Sequence, residues 1–276
     1  MQSRNTTPAA ASEESRLLAA FERLALQAGC VVMDVFNGCI AVDQKADCSP
    51  VTEADRASEK LILAGLRAEF PGIPCVAEEE AAAGLLSDII GDSFFLVDPL
   101  DGTREFVQRN LDFTVNIAFV RNGEPVAGVV YAPASGKLYL GANGRAEAAE
   151  VDAEGRIVSR RPIHAREGHD PLTVVASRSH MDDETLAYMR RFEAAEIVSV
   201  GSSVKFCILA AGEADLYPRF GRTMEWDTAA GDAVLRAAGG RTVTQDGRPL
   251  RYGKAENGFA NPPFIASGRV AGSPGA

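Results

Sequence analysis

The segment Leu96-Val97-Asp98-Pro99-Leu100-Asp101-Gly102-Thr103 is the most chemically suggestive stretch of the chain. It reads as an apolar strand emptying into a turn that holds Asp98 and Asp101, with Pro99 and Leu100 between them. Asp, Pro and Gly also favour an ordinary Asx or type I turn, so a plain strand exit would use the same residues. Several details favour more than a turn. Pro99 stiffens the backbone, Leu100 leaves a carbonyl between two carboxylates, and Gly102 lets main-chain amides approach a ligand closely. Hard divalent cations bind such oxygen clusters.

Other segments offer matching groups, each with a plainer reading beside it. Glu78-Glu79-Glu80 follows the apolar Ile73–Ala77, which sets Glu78 at the end of a short strand, although charge runs also make solvated faces. Asp227 follows Trp226, the single tryptophan, and precedes Thr228-Ala229-Ala230-Gly231, where an acid could equally be a bare helix N-cap. Thr52 and Asp55 have capping-box spacing as well as catalytic potential. Gly201-Ser202-Ser203-Val204-Lys205 lies between a strand and a helix, a place for an anion or for a simple cap with a solvated lysine. His180 suits a ligand contact or a surface position, whereas His164 and His169 fall in a loop and carry no signal. Phe206, Leu209, Phe220 and Trp226 read as core rather than as a seat for an aromatic base.

Missing motifs narrow the chemistry. None of the 5 cysteines has an arginine six positions later, Asp98 and Asp101 are not spaced as D-x-D, and no G-x-x-x-x-G-K-[ST] loop occurs. Nothing therefore supports a covalent phospho-enzyme.

The elements that must hold these groups follow from periodicity. A helix is expected from Ser12, with Leu17, Phe21, Leu24, Ala28, Val31 and Val35 on one face, and a second from Thr52 through Leu61, Ile62, Leu66 and Phe70 to Pro71. Residues 94–97, 113–120, 126–132 and 137–141 read as antiparallel strands joined by hairpins, and the weaker pattern from Gly141 to Asp170 places a boundary near residue 160. Beyond it, strands at 173, 196 and 214 alternate with helices at 182–192, 202–212 and 227–238, the last ended by Gly239-Gly240. The expected organisation is a disordered start at 1–11, an α+β part at 12–160, an α/β part at 161–266 and a flexible tail at 267–276.

Composition sets limits. With 276 residues and a net charge of −10, the chain has length for a sizeable core and no basic footprint for nucleic acid or anionic lipid. An odd number of cysteines without a close pair, and a start lacking an apolar signal region, make the cytoplasm the simplest home. Peripheral association with the inner membrane face stays open, but no apolar run approaches the ~20 residues of a membrane helix.

Taken jointly, DCSPVTEAD at 47–55, EEE at 78–80, DPLDGT at 98–103 and WDTAAGDAVLRAAGG at 226–240 resemble, in order and spacing, the metal-dependent, lithium-sensitive inositol monophosphatase superfamily. The likeness runs from about residue 16 to 265. Within that superfamily TREFVQRNLDFTVNIA, GVVYAP, SRSH, GSSVKFC, ADLYPRFG and NPPFIA are similar to the bacterial 3'(2'),5'-bisphosphate nucleotidases. One departure is Ala77, where the superfamily has Ser or Gly.

The resemblance implies a layered α-β-α-β-α sandwich with a metal site where its halves meet. It makes Glu78, Asp98, Asp101 and Asp227, with the Leu100 carbonyl, the ligands of two or three Mg²⁺ ions, which would let an acidic protein hold a phosphate. It casts Asp55 and Thr103 as the pair that positions an attacking water, with Glu78 helping and Thr52 orienting Asp55. Glu78, Leu100, Asp101, Gly102, Thr103 and Asp227 would face the substrate, while Ser202, Lys205 and Arg219, with His180, would hold a second phosphate. The implied partner is a phosphorylated small molecule, and the implied reaction is loss of the 3'-phosphate from adenosine 3',5'-bisphosphate to give AMP. Inositol monophosphate or fructose 1,6-bisphosphate as substrate would keep every metal ligand, and a regulatory protein retaining the fold is a rival of another kind. A homodimer is left open.

Overall fold

The computed structural model describes residues 8–45, 50–86, 90–168, 171–178, 182–192 and 196–269. Helix α1 (Pro8–Asn37) begins ahead of the expected Ser12, because a proline's fixed φ suits the first turn of a helix. Residues 8–11, expected as part of the start at 1–11, form the first turn of α1. Its buried stripe is Leu17, Phe21, Leu24, Ala28, Val32 and Phe36. The expected Val31 and Val35 are half-buried, since steps of four carry the stripe one position further along the helix. A two-stranded ribbon, β1 (Val42–Gln44) with β2 (Pro50–Thr52), leads into α2 (Glu53–Glu69), which starts on the expected capping box of Thr52 and Asp55.

The larger sheet has the order β3 (Cys75–Ala77), β4 (Ser93–Asp101), β5 (Thr114–Arg121), β6 (Glu124–Ala132), β7 (Lys137–Ala142), β8 (Arg145–Val151), β9 (Ile157–Ile163). Only β3 with β4 pairs in parallel. Asn122-Gly123 and Asn143-Gly144, all with positive φ, make the tight hairpins after β5 and β7. Strands β8 and β9 occupy the stretch after Gly141 where the sequence pattern is weak. They end the sheet, and residues 158–162 of β9 are exposed on both faces, so no apolar alternation marks them. The short helices α3 (Glu78–Ala82) and α4 (Thr103–Val107) follow β3 and β4 directly.

The second sheet has the order β11 (Glu196–Val200), β10 (Thr173–Ser177), β12 (Leu216–Arg219), β14 (Phe264–Ser267), β13 (Arg241–Thr244), with helices α5 (Asp183–Met189), α6 (Val204–Ala210) and α7 (Ala229–Ala237). The change of sheet falls between Ile163 and Thr173. Arg269 N donates to Arg166 O, so the chain stays tied to the body past 267, where a flexible tail is expected.

Strand alternation reveals the layers. Phe95 and Val97 of β4 join Phe21 of α1 and Ile62 of α2 in one core, while Phe94 and Leu96 face Leu209 of α6 and Val234 of α7. That second core continues to Val175 and Phe264 of the smaller sheet, whose other face sets Val174 and Ala176 against Met189 of α5. The result is an α-β-α-β-α sandwich. Helix α7 lies very close on the larger sheet: a Cβ on Gly128 would stand 2.6 Å from Ala230 O, and one on Gly141 2.6 Å from Val234 Cα. This approach carries Asp227, just ahead of α7, to the end of β4. No helix among the described residues is long and apolar enough to cross a membrane.

Candidate active site

Residues three apart on a regular strand point to opposite faces. Between Asp98 and Asp101 the pairing of β4 with β5 shifts register, and the irregularity lets both acids address one place. Asp98 Oδ1 accepts from Leu100 N at 3.0 Å, which bends the chain so that the Leu100 carbonyl comes within 3.1 Å of Thr103 Oγ1. Gly102 is required at the corner: its φ is +95°, and a Cβ there would meet Asp112 O at 2.9 Å.

Asp227 is not the N-cap of α7. That position belongs to Thr228, and the Asp227 carboxylate turns back to accept from Met224 N at 2.8 Å. Ser203 links it to the turn, because Ser203 Oγ lies 2.7 Å from Asp101 Oδ2 and 2.6 Å from the Asp227 carbonyl while accepting from Asn116 Nδ2 at 3.0 Å. Glu78 is partly buried rather than solvated, and Lys45 Nζ lies 2.7 Å from it and 2.6 Å from Glu79.

Asp55 divides its oxygens between two tasks. Oδ2 accepts from Thr52 N and Thr52 Oγ1 to close the capping box, and Oδ1 is left for Thr103 Oγ1 at 3.0 Å. The cap and the site contact therefore coexist.

Burial pushes the carboxyls of Asp98, Asp101, Asp227 and Glu78 above their ordinary range. For Asp98 and Asp227 the next cause is neighbouring carboxylates, Glu78 and Asp101 among them. Such a set holds its negative form only beside a cation. Its donors are all hard oxygens, the kind Mg²⁺ takes. Among the described residues no three acidic, histidine or cysteine side chains already close as a finished cage. Glu78 is tied instead to Lys45, and Asp101 to Ser203.

Glu78, Asp101, Gly102, Thr103 and Asp227 line one side of a cavity of about 830 Å³. Asp55, Asp98 and Leu100 lie buried just beneath it. Basic side chains of α6 and β12 line the same cavity. Lys205, 5 % exposed, donates to the carbonyls of Ser202 and Val200 and lies 5.5 Å from the centre of the Tyr217 ring. Burial pulls its pKa down to about 8 against the attraction of Asp101. It is not the solvated lysine of a plain cap. Arg219 is buried beside it and donates to Arg222 O at 3.1 Å. Ser202 sits at φ +47°, with its Oγ buried and unpartnered. His180 lies outside the described residues. Trp226, Phe206 and Leu209 are core residues as expected, whereas Phe220 is only half-buried, its ring 5.2 Å from that of Tyr188.

Sequence spacing does not single out Lys45, Ser203 or Glu59. Only Glu59 leaves a trace, four positions after Asp55 on one face of α2.

The comparisons with known proteins identify the family. The model of the inositol monophosphatase family matches residues 13–273. The 3'(2'),5'-bisphosphate nucleotidase CysQ of Escherichia coli K12 is 44 % identical over 89 % of this chain and 97 % of its own length. The protein of the same name from Buchnera aphidicola is 39 % identical over 89 % and 91 %. Among solved structures, CysQ from Bacteroides thetaiotaomicron superposes with a TM-score of 0.77 at 37 % identity, covering 93 % of this chain and 98 % of that one. An inositol monophosphatase from Anabaena gives 0.71 at 26 %, covering 92 % and 91 %. The chain belongs to the inositol monophosphatase family.

Proposed function

We propose that this chain is a magnesium-dependent phosphomonoesterase that converts adenosine 3',5'-bisphosphate and water to AMP and phosphate. The observation that carries the reading is a single cavity with an acidic wall at the end of β4 and a buried basic wall at the start of α6. The CysQ relatives' name supports the same substrate. Glu78, Asp98, Asp101, Asp227 and the Leu100 carbonyl would hold Mg²⁺, which supplies acidification of a water and neutralisation of charge on the leaving oxygen.

The chain's own groups do the rest. With Thr103 Oγ1 donating to Asp55 Oδ1, a lone pair of the hydroxyl is free to accept a hydrogen bond from water and fix its line of attack. Thr52 keeps the Asp55 carboxylate turned toward Thr103. The water oxygen bonds to phosphorus, the bond to the ribose 3'-oxygen breaks, and that oxygen leaves with a proton. Lys205, Arg219 and Ser202 engage the 5'-phosphate, a group inositol monophosphate lacks. Phosphate release with Mg²⁺ should be fastest on adenosine 3',5'-bisphosphate, slower on fructose 1,6-bisphosphate and inositol 1-phosphate, and abolished by chelator. Preference for either sugar ester would replace the nucleotide reading with the sister activity. Absence of release from all three would favour a regulatory role.

A further inference from the structure

Helix α3 starts without a cap of its own. Ala77 has the extended geometry of an N-cap, φ −124° and ψ 149°, but offers no side-chain oxygen. The amides that a capping Ser or Thr takes are those of the second and third helical residues, here Glu79 and Glu80. Both are held by one carboxylate from another helix: Glu59 Oε2 accepts from Glu79 N at 2.7 Å and Oε1 from Glu80 N at 2.9 Å.

Glu59 belongs to a polar face that α2 buries. Asp55, Ser58 and Glu59 are three and four positions apart, and all are buried. Asp55 holds Thr103, Ser58 Oγ donates back to Ala54 O at 2.6 Å and packs 3.3 Å from Pro99 O in the Asp98–Asp101 turn, and Glu59 holds α3. One rigid turn of helix thereby sets the separation between the water-orienting pair and Glu78.

We propose that Glu59 is a positioning residue that caps α3 from α2, in place of the side chain Ala77 lacks, and so fixes Glu78 relative to Asp55 and Thr103. What Glu78 does there rests on the proposed function. The carboxylate form suits the task because two acceptor oxygens meet two N–H donors, whereas an amide would turn its own NH₂ toward one of them. Holding a carboxylate there has a cost, since burial pushes Glu59 up to about 7 despite both amide bonds. Lys45 complements it by gripping the side chains of Glu78 and Glu79 while Glu59 grips the backbone.

The test uses the full chain, with Mn²⁺ as the probe, and compares Glu59→Gln, Ala77→Ser and the double variant. Free Mn²⁺ is followed by electron paramagnetic resonance without substrate, and kcat and KM are measured separately. Glu59→Gln should weaken Mn²⁺ binding by about tenfold, the lower end for losing a group that orients a metal ligand. Its KM for adenosine 3',5'-bisphosphate should move by less than about twofold, because the second-phosphate contacts are untouched. The double variant, with a local cap restored, should recover much of the lost affinity, and Ala77→Ser alone should be close to wild type. Unchanged Mn²⁺ binding in Glu59→Gln, or a loss that the double variant does not mend, overturns the proposal. If Glu59→Gln is too unstable to assay, the double variant decides: folded with near-native Mn²⁺ affinity supports the role, and unfolded contradicts it. A wild-type chain that binds Mn²⁺ but leaves the nucleotide intact counts against the proposed function alone.

Discussion

One wall of the cavity gathers Asp101, Asp227 and Glu78 over the buried Asp98, their carboxyls all pushed up, whereas the other holds Lys205, buried next to Arg219, whose pKa burial pulls down to about 8. Burial works against charge on both: carboxylates crowd the first, and on the second Lys205 loses its hydration although Asp101 and Glu105 attract it. The acidic wall is relieved by a cation, the basic one by an anion. A phosphate ester bearing a second phosphate, held with divalent ions at one end only, relieves both. The difference assigns the walls distinct work in the proposed reaction: bond breaking at the end of β4, and reading of the second phosphate at the start of α6.

The strongest way to break this division is at Asp101. Asp101→Asn keeps the shape and should lower kcat by at least ~10²-fold on one-phosphate and two-phosphate substrates alike, the order expected for losing an electrostatic stabiliser of the transition state. Steady-state kinetics checks it, and a near-normal rate would reduce the turn to scaffolding. Thr103→Ala should act on the same wall more mildly, lowering kcat by on the order of tenfold with KM little changed, because its main proposed role is to orient the attacking water. A pure KM effect would contradict that role.

The basic wall should show itself in pH. Because the lysine pKa is lowered to about 8, Lys205 is charged below that value and neutral above it. For the bisphosphate, kcat/KM should therefore fall above pH 8, by up to about tenfold per pH unit, as the free enzyme loses the counter-charge. Adenosine 3'-monophosphate should lack this limb. A limb common to both substrates would place the titrating group on the acidic wall.

Much of the fold is legible in the sequence where burial is one-sided or complete. Strands β5 to β7 announce themselves by apolar runs between turn residues, but β8 and β9, at the sheet edge with an exposed outer strand, do not. In the site, the acids can be picked out by type and spacing. Lys45, Glu59 and Ser203 cannot, since each matters through a contact with a distant residue: Glu78 is 33 positions from Lys45, Glu79 is 20 from Glu59, and Asp101 is 102 from Ser203. The plainer readings of single residues fail for a related reason. Asp227 and Lys205 look like an ordinary cap and a solvated charge until α7 and α6 are packed between the sheets.

The division of labour is tested most directly by kcat/KM of wild type and Lys205→Met on adenosine 3',5'-bisphosphate and on adenosine 3'-monophosphate, at fixed Mg²⁺ and salt below pH 8. The substitution should cost about 2 kcal/mol, roughly 30-fold, on the bisphosphate, the low end for a buried charge-assisted contact. It should cost almost nothing on the monophosphate, which has no second phosphate to lose. Equal losses on both substrates would contradict the account, placing Lys205 with the groups that act on the scissile phosphate or in the framework of the fold.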